Sequence, residues 1–277
     1  MIRARSLSAG WYPATELETR RQFHAWETSL DPVAERFVAV IVPHAGWSYS
    51  GALAYRAMRA LSEDVATIVV VGGHLQRADP ILISAESGFE TPMGTLETDQ
   101  ELAGLLRARL PVVDDLAPGN SVEVQLPMAH HLYPDVRVVA LRCPPRPVSQ
   151  DLGRTIAACA AELDRRICVI GSTDLTHYGP AYRFTPVGTG SGANHWVRAE
   201  NDMPIIEAML RMDPDQTIRL AEERRAACSA GAAAAAFAYA ASRSSSRGVL
   251  LEYAQSSDVS PDLSFVGYAA IGYPAAG

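Results

Sequence analysis

The sequence predicts an α/β fold, a three-layer sandwich in which a central, mostly parallel or mixed sheet carries helices on both faces. Three observations point to it. Apolar, β-rich runs are short and nearly continuous, the pattern of strands buried on both faces. Segments with helical spacing lie between them, and that alternation is met most economically by one sheet covered on each side. Across 277 residues no internal repeat and no linker interrupts the pattern, so a single domain over residues 1–277 is expected.

Taken in order, strands are predicted at Phe37 to Val42, Ile68 to Val71, Pro80 to Ser84, Val136 to Leu141 and Ile167 to Gly171. Helices are predicted at Ala52 to Leu61, Asp99 to Leu110 and Val148 to Leu163, where apolar residues recur every three or four positions. The stretch from Gly179 to Asn194 is too rich in Gly, Ser and Pro to be core and is expected as a loop. A long helical region follows from Asn201 to Ser242, broken at Asp213-Pro214, where an aspartate cap and a first-turn proline start a new helix. Two closing strands, Gly248 to Ala254 and Ser264 to Tyr273, bracket a turn-rich segment.

Composition narrows the function classes. The chain has 24 basic residues, every one of them Arg, against 31 acidic ones, a net charge of -7 that excludes nucleic-acid binding driven by overall charge. With 48% hydrophobic and 20% charged residues it has ample material for a core. No apolar run approaches the roughly 18 residues of a membrane span, and the N-terminal residues lack a signal-peptide core, so a cytoplasmic protein without membrane partners is expected. Cys143, Cys159, Cys168 and Cys228 lie far apart and read as reduced thiols.

Chemistry concentrates where strands end, which is where open α/β sheets bind ligands. His44 follows the first strand in VPHAGWSYSG; it either points into such a crevice or merely satisfies a local turn. His74 follows Val71-Gly72-Gly73 in the same topological position, and two imidazoles at adjacent strand ends can converge on one metal ion. Asp174 and His177, in GSTDLTHYG, suit a carboxylate that orients an imidazole or an acid/base relay. Glu123 and Gln125 belong either to a half-exposed element or to a pair beside a metal pocket. Cys228, at the head of an Ala-rich helix, is either a small core residue or a thiolate facing a metal. His195 could line a pocket, His130 and His131 read as surface or capping residues, and His24 as solvated. The glycines at 188, 190 and 192 follow no buried strand, which makes them a poor dinucleotide fingerprint, and there is no G-x-S-x-G elbow.

The ordered series GWYPA, VPHAGWSYSG, GGH, NSVEVQLP, GSTDLTHYG, Cys228 and YAQSSDVSPDLSFVGYAAIGY resembles the Memo family, whose fold is similar to that of class III extradiol ring-cleaving dioxygenases. The resemblance implies a pocket built from His44, His74, Asp174, His177 and Cys228. It also implies bound iron or copper, held by two histidines and the cysteine where extradiol enzymes use two histidines and a glutamate. Three positions depart from the family pattern. A single His74 precedes Leu75-Gln76 where a histidine pair is common, Gly119-Asn120-Ser121 stands where many members have Glu-His-Ser, and Ser229 replaces a Gly after Cys228.

The expectation is therefore a metal-dependent oxidoreductase. His44, His74 and Cys228 hold Fe(II), with Cu or Zn as other candidates, and dioxygen and a small, phenolic substrate take the open positions. Asp174 orients His177, which moves protons, while Tyr178 and Tyr49 form pocket walls. The rival expectation is a metal-binding or peptide-binding adaptor of the Memo type that uses the same pocket without turnover.

Overall fold

The structure, a computed structural model, describes residues 1–275, with the backbone only at Ser191. Four parallel strands form the middle of a nine-stranded mixed sheet, in the spatial order Phe37–Val42, Ile167–Ser172, Thr67–Gly72 and Arg137–Arg142. The first three are buried along their whole length, which is why they read as unbroken apolar runs. Beyond Arg137–Arg142 lie Ile81–Ile83, antiparallel to it, and then Val112–Asp114. On the other side Phe265–Pro274 runs antiparallel to Phe37–Val42 and also pairs with Val249–Gln255 and His177–Tyr178.

Side chains alternate between two cores, as the period of two along a strand requires. Val40, Val42, Ile68, Val70 and Ile170 pack on one face with Phe23, Trp26 and Trp47, from the helices Glu16–Ser29 and Trp47–Met58. Ile41, Val69, Val71 and Val169 pack on the other, against Gln100–Arg109, Val148–Glu162 and Ala230–Ser242. The last helix lies unusually close to its neighbours. A Cβ on Gly171 would stand 2.8 Å from the Ala232 carbonyl, and one on Gly153 would collide with the Ala235 carbonyl. Alanine and glycine at this contact let backbones meet where larger side chains would hold them apart.

The three-layer architecture is the one the sequence predicts, and most boundaries agree within two residues. The exceptions have local causes. The second helix begins at Trp47 rather than Ala52, because Gly46 serves as its cap and the polar Ser48, Tyr49 and Ser50 form its first turn. The expected loop after Gly179 holds a short 3₁₀ turn, Pro180–Tyr182, and gives way to helix already at Ser191. The Asp213 carboxylate accepts the Gln216 N–H, which starts the helix Pro214–Arg224 as its proline suggested. A second, three-stranded sheet of Ile2–Arg3, Gly88–Thr91 and Gly94–Glu97 was not foreseen; its strands are too short for a periodic signal. Among the described residues no helix is long and apolar enough to cross a membrane.

Candidate metal centre

The three adjacent strands Phe37–Val42, Ile167–Ser172 and Thr67–Gly72 end in step. Val42 pairs with Ser172, and Val71 with Gly171. His44, Asp174 and His74 each follow two residues beyond that edge, so the sheet itself brings the three side chains to one place.

His44 is 1% exposed. Its backbone N–H donates to Asp174 Oδ1 at 2.7 Å, and its Nδ1 lies 3.2 Å from Ser172 Oγ. That hydroxyl also accepts from Gln125 Nε2 at 3.1 Å, while the same amide donates to the Pro43 carbonyl at 2.7 Å. With Nδ1–H donated to Ser172, the His44 Nε2 lone pair faces outward, the arrangement that supporting hydrogen bonds impose on metal-ligating histidines.

His74 approaches from the opposite side. Its φ of 61° is in the left-handed region, which costs about 1 kcal/mol for a residue with a Cβ and turns the chain sharply off the strand. The preceding glycine is required by crowding, since a Cβ on Gly73 would collide with Ser229, the residue after Cys228. Cys228 is docked on the Asp174 turn: its N–H donates to the Asp174 carbonyl at 3.2 Å, and the Ser229 N–H donates to Thr173 Oγ1 at 3.0 Å.

The outcome is a convergence of three donors. His44 Nε2 is 3.0 Å from His74 Nε2 and 3.3 Å from Cys228 Sγ, and all three atoms lie within 4.8 Å of one another. Tetrahedral bonds of about 2.05 Å to nitrogen and 2.3 Å to sulfur would separate such donors by about 3.3 to 3.6 Å. The two His44 separations are close to that range and the third is at most 4.8 Å; the N/S chemistry of the set suits a borderline or soft divalent metal. Cys228 is also the one thiol that is not buried. Burial pushes the Cys168 thiol up to about 12, and Cys143 and Cys159 are raised by the same cause.

His177 stands beside this cluster. The expected pairing with Asp174 is replaced by another: Nδ1 lies 3.1 Å from the Leu175 carbonyl, while Nε2 is 4.0 Å from Asp174 Oδ2, beyond hydrogen-bond reach. The tight turn explains it, because Asp174 Oδ1 is committed to the His44 backbone. Desolvation by burial holds the His177 imidazole below its ordinary range, outweighing the opposing pull of Asp174. The turn is backed by Asp202, which accepts from the Thr176 backbone and hydroxyl and from Tyr253, and whose carboxyl burial pushes up to about 6.

A cleft of about 310 Å³ opens over the cluster, lined by residues that include His44, His74, Asp174 and His177. Tyr49 is on its wall, 41% exposed. Tyr178 is not; it is fully buried against Phe265 and Phe184, and its hydroxyl donates to the Gly188 carbonyl at 2.6 Å. Tyr182 lines the cleft in place of Tyr178, its ring nearly perpendicular to that of His177 with centroids 5.0 Å apart. The Glu123/Gln125 pair is split: Gln125 supports His44, whereas Glu123 faces away and accepts from the backbone of Ser6 and Leu7 and from the Tyr12 hydroxyl. His130 meets Thr91, His131 stacks on Phe23, and His24 and His195 are exposed; none of the four lines the cleft.

The Memo-like protein family model matches residues 3–272. The chain belongs to the Memo family. Among curated relatives, a MEMO1 family protein of Thermococcus onnurineus (strain NA1) is 32% identical over 290 aligned positions, covering 98% of this chain and 99% of the relative. The MEMO1 family protein MK0963 of Methanopyrus kandleri is 30% identical, covering 98% of both chains. MEMO1 family protein PYRAB05390 of Pyrococcus abyssi is 32% identical over 98% of this chain and 99% of its own. Among solved structures, the uncharacterized protein JW3007 from Escherichia coli K12 overlaps with a TM-score of 0.48 and 15% identity, covering 85% of this chain and 99% of that one, a likeness too distant to argue from.

Ser172, Thr173, Tyr182 and Asp202 are the site residues that sequence reasoning missed. Ser172 ends a strand beside two residues already singled out, and that position was the available signal. The others act through hydrogen bonds or ring contacts between distant segments, which leave no local pattern.

Proposed function

We propose that this Memo family chain is a non-haem metal-dependent oxidoreductase that uses dioxygen on a small, phenolic molecule, with Fe(II) held by His44, His74 and Cys228. The observation that carries this reading is the convergence of two imidazole nitrogens and one thiol within 4.8 Å, the imidazoles lining one open cleft and the thiol an adjoining one that shares His177 and Tyr182. Bound iron would supply a redox centre with open positions for both reactants. The N/S donor set also accepts Cu or Zn, which metal analysis distinguishes. A thiol ligand and Fe(II) both suit a reducing, cytoplasmic setting.

The protein's own groups have separable tasks. Ser172 and Gln125 fix the ring of His44, and Asp174 fixes its backbone. His177, kept neutral by burial and with Nδ1 turned to the Leu175 carbonyl, presents a basic Nε2. It accepts the proton of a substrate hydroxyl and later returns it. Tyr182 shields one edge of that imidazole from water.

The test is anaerobic loading with Fe(II), followed by oxygen uptake with a panel of phenols. Uptake that needs both metal and phenol supports the proposal. Tight metal binding without uptake for any phenol points to the non-catalytic adaptor instead. Alkylation gives an independent readout: bound metal should protect Cys228, and chelation should expose it, with the three buried thiols silent in both states.

A further inference from the structure

The charge of the cleft wall bears on the end of the substrate that lies away from the metal cluster. The wall is aromatic and acidic. Trp11, Tyr49, Tyr182 and Tyr268 supply rings, and Asp174 and Asp262 supply carboxylates. Among the described residues that line it none is Arg, although the chain holds 24, and the chain has no Lys.

Asp174 Oδ2 has no donor within hydrogen-bond distance among the described residues, although its side chain is only 6% exposed; its nearest neighbours are His44 Nε2 at 3.9 Å and His177 Nε2 at 4.0 Å. This oxygen of a cleft-lining carboxylate has spare acceptor capacity that a ligand's donor can use. Asp262 is exposed, with Oδ1 accepting the Ser264 N–H at 3.2 Å. It lies close enough to Tyr182 that its charge, after burial and Asp174 and Tyr49, helps to raise that phenol. The acidic wall thus runs from beside the metal cluster, past His177 and Tyr182, to the mouth.

Arg225, whose charge reaches His177, is outside this lining. It lines a neighbouring cleft, donates to the carbonyls of Arg183 and Tyr182 at 3.2 and 3.1 Å, and stacks over Phe184 at 4.8 Å.

Resting on the oxidoreductase reading for the phenolic end, we infer that the cleft selects a phenol whose other end carries a positive charge, such as a protonated amine, and rejects phenols bearing a carboxylate. The aromatic rings favour the same choice, since a cation over a ring face is attracted by its quadrupole.

The test compares three phenols of similar length by calorimetry under argon, using the protein as purified and after Fe(II) loading. They are tyramine, neutral 4-ethylphenol and anionic 3-(4-hydroxyphenyl)propionate. An exposed ion pair changes affinity by up to about 5-fold, so attraction in one case and repulsion in the other should separate the amine from the acid by about 10-fold. Asp262→Asn, which retains an acceptor for Ser264, should shrink that ratio about 3-fold, and Asp262→Arg should bring it to unity or invert it. The ratio should also fall as salt rises. Equal or tighter binding of the propionate, an unchanged ratio in both Asp262 variants, or no binding by any of the three overturns the inference. Charge selection without oxygen uptake upholds it and rejects turnover, whereas uptake without charge selection rejects it alone.

Discussion

The two sides of the cleft are built in different ways. The inner side stands on three parallel strands that end in step, so His44, Asp174 and His74 inherit their spacing from the sheet. The outer side is assembled from connecting segments. Trp11 comes from the N-terminal arm, Tyr182 from a 3₁₀ turn, and Asp262 from the link between the last two strands. Rigid elements set donor positions to a fraction of an ångström, while loops tolerate change. Damage to the inner side should therefore abolish metal binding or chemistry, and damage to the outer side should alter only how well a ligand is held.

The sharpest test of that contrast is His44→Ala. It removes the donor nearest to both others, and metal affinity measured by competition with a chelator should fall by well over about 100-fold, beyond the range seen for losing a supporting hydrogen bond. Unchanged metal stoichiometry would place the centre elsewhere.

His177→Ala should keep the metal and lower oxygen uptake by about 100-fold or more, the range for a positioned acid/base group. Because burial lowers the His177 imidazole, its neutral, basic form persists below the ordinary value of 6.5. In the parent protein uptake should fall only as the pH drops through that lowered value, and the variant should lose this acidic limb. Metal loss from His177→Ala would make the residue a ligand.

A smaller effect is expected from Ser172→Ala. It leaves every donor in place but frees the His44 ring, which should weaken metal binding by about 10- to 100-fold. An unaltered affinity would show that the strand ends alone orient the imidazole.

Glu123→Ala probes the outer side and should do least at the site. It strips the acceptor from Ser6, Leu7 and Tyr12, costing about 3 kcal/mol of stability in urea unfolding, and loosens the arm that carries Trp11. Metal affinity should be unchanged and KM should rise a few-fold. Loss of metal from this variant would erase the distinction between the two sides.

The same division explains what was legible in the sequence. Buried parallel strands leave uninterrupted apolar runs, and a histidine directly after such a run is visible without a structure, as His44 and His74 were. Asp174 and His177 were visible for the same reason, yet their relation was not. Whether Oδ2 stands at 2.8 or 4.0 Å from an imidazole depends on a turn, and residue types do not encode it. Tyr178 and Tyr182 illustrate the limit further. They are four positions apart with the same side chain, yet Tyr178 stays in the core while the 3₁₀ turn Pro180–Tyr182 carries Tyr182 to the cleft. Glu123 and Gln125 lie two residues apart, but they sit at the junction of two short helices rather than on one strand, so their side chains part.

Cys228 differs in origin from the other two donors. It arrives just ahead of the helix Ala230–Ser242, in the layer that covers the sheet, and reaches the cluster by docking on the Asp174 turn. Its identity is thus uncoupled from the framework. Exchanging the thiol for a carboxylate at this position would trade a soft donor for a hard one while the strands and both imidazoles stay where they are. Under the proposed reading the strands would fix two ligands and the covering layer would supply the third, so a single substitution at Cys228 would change the metal preference without rebuilding the sheet.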